Sequence, residues 1–276
     1  YMVTDGATGR GILNMPPALG GTPANLNFVF YIVKAGKVFA METDAVSPLT
    51  PLLNGALLQQ QTPIGGFTSA SLDGGMVIYL TGRSGSACVG GGLVAADGLG
   101  SVTLTYDTNC SGETSAAGAP GSYSVASNGR TEIRVGSAYV AAYLVSPNEA
   151  FLIVPDASVS FGFGESQAAG PFTNSSVGGT YAGSVATPAD VNVTIYSGEF
   201  TADGASPTGN ITGTEDVGAP SGASLGAAVN ATYSISSNGR GAIGGGIAGD
   251  IYVISPSKFV VASFGAPNSA ISIFEH

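Results

Sequence analysis

The chain is poor in the residues that usually carry chemistry. Its 276 residues include no tryptophan, one histidine and two cysteines, and only 9% are charged. Folded chains usually carry about a quarter. The surface must therefore be built from Ser, Thr, Asn and Gly, or be covered by neighbours. Eight Lys and Arg against 18 Asp and Glu leave a net charge of −10, with no basic cluster anywhere. That balance argues against nucleic acid and anionic membrane surfaces as partners. No apolar run approaches the ~20 residues of a membrane helix, so no membrane insertion is expected. Helix formers are scarce as well. Tyr1 is not an initiator methionine, which leaves a processed and exported chain open.

What is present is β-forming. The 44% hydrophobic content is ordinary for a folded chain, so the 43 glycines do not signal disorder. Thr, Val, Ile and Tyr are common, and turn signals recur at the short spacing of an all-β domain.

The chain also repeats itself. Tyr123-Ser-Val-Ala-Ser-Asn-Gly-Arg130 returns as Tyr233-Ser-Ile-Ser-Ser-Asn-Gly-Arg240, and Tyr1 to Arg10 is a looser copy. Each reads as an alternating strand running into an Asn-Gly or Gly-rich reversal. A hairpin follows each turn, beginning at Tyr31, Tyr143 and Tyr252, and the last two copies carry Ser-Pro at the tip. Phe67-Thr-Ser-Ala-Ser and Phe172-Thr-Asn-Ser-Ser open two of the blocks, and Ala96-Asp97-Gly98 and Ala202-Asp203-Gly204 mark a further turn. Markers in constant order make this a tandem repeat of about 105–110 residues. The expected domains are a partial repeat over 1–65, a second repeat over 66–170 and a third over 171–276.

In the last block eight short strands can be read: 180–186, 191–201, 209–217, 229–236, 240–246, 250–254, 259–264 and 270–274. A Gly/Ala/Ser/Pro loop is expected before the fourth. Eight strands joined by tight turns predict a small antiparallel up-and-down β-barrel, with a β-sandwich as the alternative. The first block begins in the fourth strand and holds about five. One hairpin breaks the usual alternation. Residues 28–33, 139–145 and 259–264 are apolar on both faces, so their outer side needs cover from a neighbouring repeat or another chain. Phe28, Phe30, Tyr31, Ile32, Phe39 and Met41 are accordingly expected to form a self-assembly surface. The unpaired edge of the partial repeat suggests head-to-tail growth into a filament.

Taken together, the Tyr233 to Gly241 turn, the Ser-Pro hairpins, and Ala202-Asp203-Gly204 followed by Gly209-Asn210-Ile211-Thr212-Gly213 resemble Gly/Ser/Thr-rich tandem repeats of large exported proteins of acidobacteria. Those repeats share a Tyr-Ser-x-x-x-Asn-Gly-Arg-Gly turn and a Tyr-x-Val-Ser-Pro-x-Lys hairpin. The resemblance covers nearly the whole chain and is best in the last repeat. It implies export and a β fold, and it supplies no catalytic residues. The first repeat departs from it, with Lys34-Ala-Gly-Lys37 in place of Ser-Pro and an inserted Pro16-Pro17.

Few residues are candidates for chemistry. Cys88 and Cys110 flank the Asp97-Gly98 reversal symmetrically, which predicts a cross-strand disulfide and an oxidising compartment. No histidine accompanies them, so a metal site is not expected. His276 is terminal and reads as a solvated end. Glu215-Asp216 with Asp203, or Glu42 with Asp44, could pair as catalytic or Ca²⁺-binding carboxylates. However, no Trp is present to stack a sugar and no Asp-x-Asp-x-Asp run occurs, so they read as turn and strand-end acids. Arg10, Arg130 and Arg240 recur at one position and are expected to be structural, for example by bonding turn carbonyls. The sequons at Asn174, Asn192, Asn210 and Asn230 matter only if the source glycosylates exported proteins. Gly90-Gly91-Gly92 and Gly244-Gly245-Gly246 lack the Lys-Ser/Thr of a phosphate loop and suggest bends or close backbone approach.

The expected function is therefore an extracellular structural protein of a bacterial surface, a subunit of a fibre, filament or adhesive assembly. It is not expected to be an enzyme or to hold a cofactor, and its partners would be its own copies or other surface proteins. The alternative is a lipocalin- or avidin-like module for a small ligand or surface glycan.

Overall fold

The structure, a computed structural model, describes residues 1–15, 26–45, 54–84, 86–110, 113–155, 160–188, 194–264 and 269–276. It forms two compact units, Tyr1–Gln61 and Thr62–His276.

The first unit is an open antiparallel meander of five strands in chain order: β1 (Met2–Asp5), β2 (Arg10–Met15), β3 (Leu26–Lys34), β4 (Lys37–Glu42) and β5 (Asn54–Leu58). Its turns follow from local chemistry. Asp5 accepts from Ala7 N–H and the Thr8 hydroxyl, and Gly9 closes the reversal at φ +66°.

The second unit holds two closed barrels. The middle barrel runs β6 (Asp73–Ser84), β7 (Ser86–Asp97), β8 (Ser101–Asn109), β9 (Glu113–Val125), β10 (Arg130–Val135), β11 (Ala138–Ser146), β12 (Glu149–Val154) and β13 (Ser160–Ser166). The last barrel runs β14 (Gly179–Pro188), β15 (Ile195–Ala202), β16 (Gly209–Ala219), β17 (Gly222–Ile235), β18 (Arg240–Gly245), β19 (Gly249–Ser255), β20 (Lys258–Ser263) and β21 (Ala270–Glu275). Every neighbouring pair is antiparallel, β13 returns to pair β6, and β21 returns to pair β14. That closure makes these up-and-down barrels rather than sandwiches, and it removes the sheet edges.

Alternation builds each interior. In β17, Val229, Ala231 and Tyr233 are buried while Asn230, Thr232 and Ser234 face out. The last barrel is filled by Tyr181, Phe200, Ile211, Tyr233, Ile251 and Phe274 among others, with Phe259 stacked on Phe274 at 4.6 Å. The middle barrel has its own core of Met76, Ile78, Val94, Val102, Tyr123, Ile133, Leu144 and Leu152.

The repeated sequence words meet at one end of each barrel. Phe67 and Phe172 lead into 3-10 turns at Ser69–Ser71 and Asn174–Val177. The Tyr123 hydroxyl donates to Ser69 and Leu72 carbonyls, and the Tyr233 hydroxyl donates to the Asn174 carbonyl while accepting from Gly204 N–H. The turn is thereby tied to the strand that precedes each Asn-Gly reversal. In those reversals Gly129 (φ +85°) and Gly239 (φ +87°) donate back to Ala126 and Ser236. Each is a four-residue turn ended by a left-handed glycine rather than a two-residue hairpin loop.

The expected loop before the fourth strand is strand: β17 starts at Gly222 and pairs with β16 as far as Ala219. Backbone pairing continues there although Gly222 to Ala228 carry no alternating apolar signal. The expected second strand starts at residue 191, which lies outside the described residues together with Asn192 and Val193; the described strand begins at Ile195.

Candidate assembly surface

The two barrels touch through their outer faces. In β19, Ile251 and Val253 point into the barrel, while Tyr252 and Ile254 point out and are nevertheless buried. Outward Val260 and Ala262 on β20 and Ile271 on β21 are likewise fully buried. They pack against outward Val77 of β6 and Val89 and Leu93 of β7. Cover for the doubly apolar hairpin of the last repeat thus comes from the first two strands of the neighbouring barrel.

A glycine makes the fit possible. A Cβ on Gly91 would collide with the Tyr252 ring. Through this notch the Tyr252 hydroxyl donates to Asp107, the residue paired with Gly91 across β7 and β8. Arg240 Nε also donates to Asp107 at 2.7 Å, and its terminal nitrogen reaches Asp250 at 3.2 Å. Asp107 is 5% exposed, so its charge is taken from water and needs both partners. Desolvation by burial, then the bond to Asp107, push the Tyr252 hydroxyl pKa far up. The bond to Asp107 holds the guanidinium of Arg240 charged.

A second polar cluster lies on the same joint. Lys258 bridges Glu165 of the middle barrel at 2.9 Å and Glu275 of its own barrel at 2.7 Å, and Tyr79 donates to Glu165. Burial pulls the Lys258 pKa down, but the bonds to Glu275 and Glu165 outweigh it and the net shift is upward. Ala168 N–H to the Ile254 carbonyl, Gln167 to the Val253 carbonyl and Asn109 to the Phe264 carbonyl complete the seam.

Compared with known proteins, the chain matches no family model, no curated protein and no solved structure.

The residues singled out from sequence distribute as follows. Cys88 in β7 and Cys110 just beyond β8 are joined in a disulfide, and Ser160 Oγ lies 3.5 Å from Cys88 Sγ. Of the expected self-assembly residues, the register places Tyr31, Phe39 and Met41 on one face of the first unit, each about half exposed. Phe28, Phe30 and Ile32 lie on the opposite face, and Phe30 is buried. The six therefore do not form one surface: alternation splits them, because neighbours along a strand point opposite ways. Arg240 bonds carboxylates of two strands rather than turn carbonyls, Arg130 bonds Glu132 and the Tyr139 hydroxyl, and Arg10 bonds Thr4.

The acids are local. Asp203 accepts from Ala205 N–H and from Asn210 N–H and side chain, Asp216 accepts from Gly226 N–H, and Asp44 accepts from Asn27. Glu42 is buried on the Phe30 face of the first unit. Burial raises the Glu215 carboxyl pKa. Among the described residues, no three His, Cys, Asp or Glu side chains group as a metal site. The His276 ring lies 5.9 Å from Tyr181, edge-on, and its backbone N–H donates to the Ser257 carbonyl.

Val77, Val89, Leu93, Asp107, Glu165 and Lys258 went unnoticed in the sequence. The available signal was the Gly90-Gly91-Gly92 run flanked by Val89 and Leu93, where a strand carries no side chain of its own.

Proposed function

We propose that the protein is an exported structural β-repeat, a subunit of a surface fibre, filament or adhesive assembly, whose barrels stack through their outer faces. The observation that carries this reading is the joint itself. Side chains that point outward from two complete barrels are buried against each other, with a glycine notch and ion pairs shaped to the contact. The disulfide favours an oxidising compartment outside the cell. Exposed Thr180, Glu199, Asn210, Thr212, Asn230 and Thr232 around the last barrel favour an aqueous setting over a lipid-facing one.

The ligand-carrier alternative has less support. The apolar opening at one end of the middle barrel, lined by Ile78, Val102, Leu104, Val135, Ala138 and Val140, offers only about 40 Å³. Small-molecule pockets run from about 300 Å³ upward. A surface glycan finds more room in the open groove of about 490 Å³ where Asp73, Asn148, Gln167 and Asn238 lie beside apolar Leu93, Val94 and Phe172.

The test is to locate the protein in its native cells by fractionation and immunogold microscopy. The expected result is extracellular, high-mass material with the Cys88–Cys110 bond formed. A monomer inside the cell with both thiols reduced would contradict the reading.

A further inference from the structure

The outer face that seats the last barrel recurs in the middle one. Arg240 pairs with Tyr252 across β18 and β19 in the same register as Arg130 with Tyr143 across β10 and β11. From that anchor Phe151 matches Val260, Ile153 matches Ala262 and Phe161 matches Ile271. The matched residues differ sharply in environment. Val260, Ala262 and Ile271 are wholly buried at the joint, whereas Tyr143, Phe151, Ile153 and Phe161 are 50%, 37%, 39% and 56% exposed. These four continue the outer surface that already carries the joint. Phe163 beside Phe151 stands 6.5 Å from Tyr79, which packs against the joint's apolar cluster.

We propose that the outer face of β11–β13 is a second joint of the same kind, and that its partner is another barrel repeat presenting its first and second strands. The partner chemistry follows from the joint already filled. It needs aliphatic side chains flanking a glycine opposite Tyr143, and a carboxylate within reach of Tyr143 and Arg130. Among the described residues only β6 and β7 have that face, and they are already covered. The last barrel keeps the acid as Asp216, but Ser197 stands where Gly91 would be and Glu199 where Leu93 would be. A Cβ and a charge at those positions close the notch, so its β14–β15 face does not offer the same seat. Growth through this contact therefore runs from the middle barrel toward repeats of the β6–β7 type. This inference rests on the assembly reading, but its test uses purified protein alone, so it can fail while the cellular location holds.

The probe is the middle barrel itself, residues 62–170, with Phe161→Asp to disable its own β11–β13 face. It has a closed ring of strands, a separate core and the disulfide, and without the last barrel its β6–β7 face is free. Titrated against the full chain, it should bind, and Phe161→Asp or Tyr143→Ala in the full chain should weaken binding at least tenfold, as removal of a central aromatic does. Gly91→Val in the probe should weaken it likewise. Absence of binding at about 100 μM, where a joint of useful strength would be populated, overturns the proposal if the probe has its disulfide and a β spectrum. So does equal binding to the Phe161→Asp chain. A full chain that dimerises alone and is made monomeric by Phe161→Asp would replace the proposal with a two-fold contact between copies. Should the probe not fold, the full chain carrying Tyr252→Ala and Val260→Asp exposes the same β6–β7 face. It should then form concentration-dependent oligomers that adding Phe161→Asp reverses, and a persistent monomer would overturn the proposal.

Discussion

At the scale of single residues, Tyr252 decides whether two barrels behave as one body. Its ring fills the space above Gly91 and its hydroxyl, with Arg240, satisfies the buried carboxylate of Asp107. Tyr252→Ala should destabilise the second unit by about 3–5 kcal/mol, the usual loss for a buried aromatic, read as a drop in the denaturant midpoint. Gly91→Val should lower stability by about 1–3 kcal/mol through overpacking, because the nearest atoms to its new side chain belong to the other barrel. Equal stability of Gly91→Val and the unaltered protein would show that the ring does not sit on that strand. None of this was legible from Gly91 alone, because a glycine announces a close approach without naming what approaches.

Two aspartates act differently. Asp97 accepts from the N–H groups of Leu99, Gly100 and Ser101, and Asp203 from those of Ala205 and Asn210, and these bonds hold both carboxyls below the ordinary aspartate pKa. A depressed folded pKa gives stability that is complete above the unfolded value of about 3.9 and fades as pH falls through the folded value. The tips of the β7–β8 and β15–β16 turns should therefore keep their amide protection at pH 5 and lose it only on acidification below about pH 4. Hydrogen exchange at Leu99 to Ser101 checks this, and loosening that starts near neutrality would contradict it.

At the scale of elements, the sequence was most informative where a turn imposes its geometry. Asn-Gly and Asp-Gly mark real reversals, and the recurring Tyr, Phe and Asn-Gly words turn out to be bonded to one another at one barrel end. It was least informative where strands carry small residues. Gly222 to Ala228 looks like a loop, yet it pairs with β16, because antiparallel hydrogen bonding needs no side chain. Closure was also hidden, since whether β13 meets β6 depends on accumulated twist and stagger rather than on any residue.

The disulfide belongs to this scale too. It ties β7 to the end of β8 across 22 residues of sequence, a loop whose closure contributes on the order of 3 kcal/mol. Replacing Cys88 and Cys110 by Ala together should lower the melting temperature of the middle barrel. An isolated last barrel should be indifferent to reductant, and an unchanged melting curve for the double variant would contradict the assignment.

At the scale of the whole molecule, the doubly apolar hairpin has outside cover, among the described residues, in the last repeat alone, and the sequence could not say which copy is covered. The same position is sealed at Tyr252, half exposed at Tyr143 and half exposed at Tyr31. Only the coincidence of Val77, Val89, Leu93 and Gly91 on a neighbouring barrel distinguishes the first case, and those residues lie far away in sequence. Each barrel also has a filled interior of its own, so what the repeats add to one another is a surface, not a core.

The most direct test of that surface compares one register position in two barrels. Ala262→Cys and Ile153→Cys place a thiol on equivalent outward positions of β20 and β12, one fully buried at the joint and one 39% exposed. In the native protein a maleimide should modify the Ala262→Cys thiol at least about a hundredfold more slowly, since reaction there must wait for the joint to open. Equal rates, with the Cys88–Cys110 bond intact, would show that the barrels do not meet through these faces.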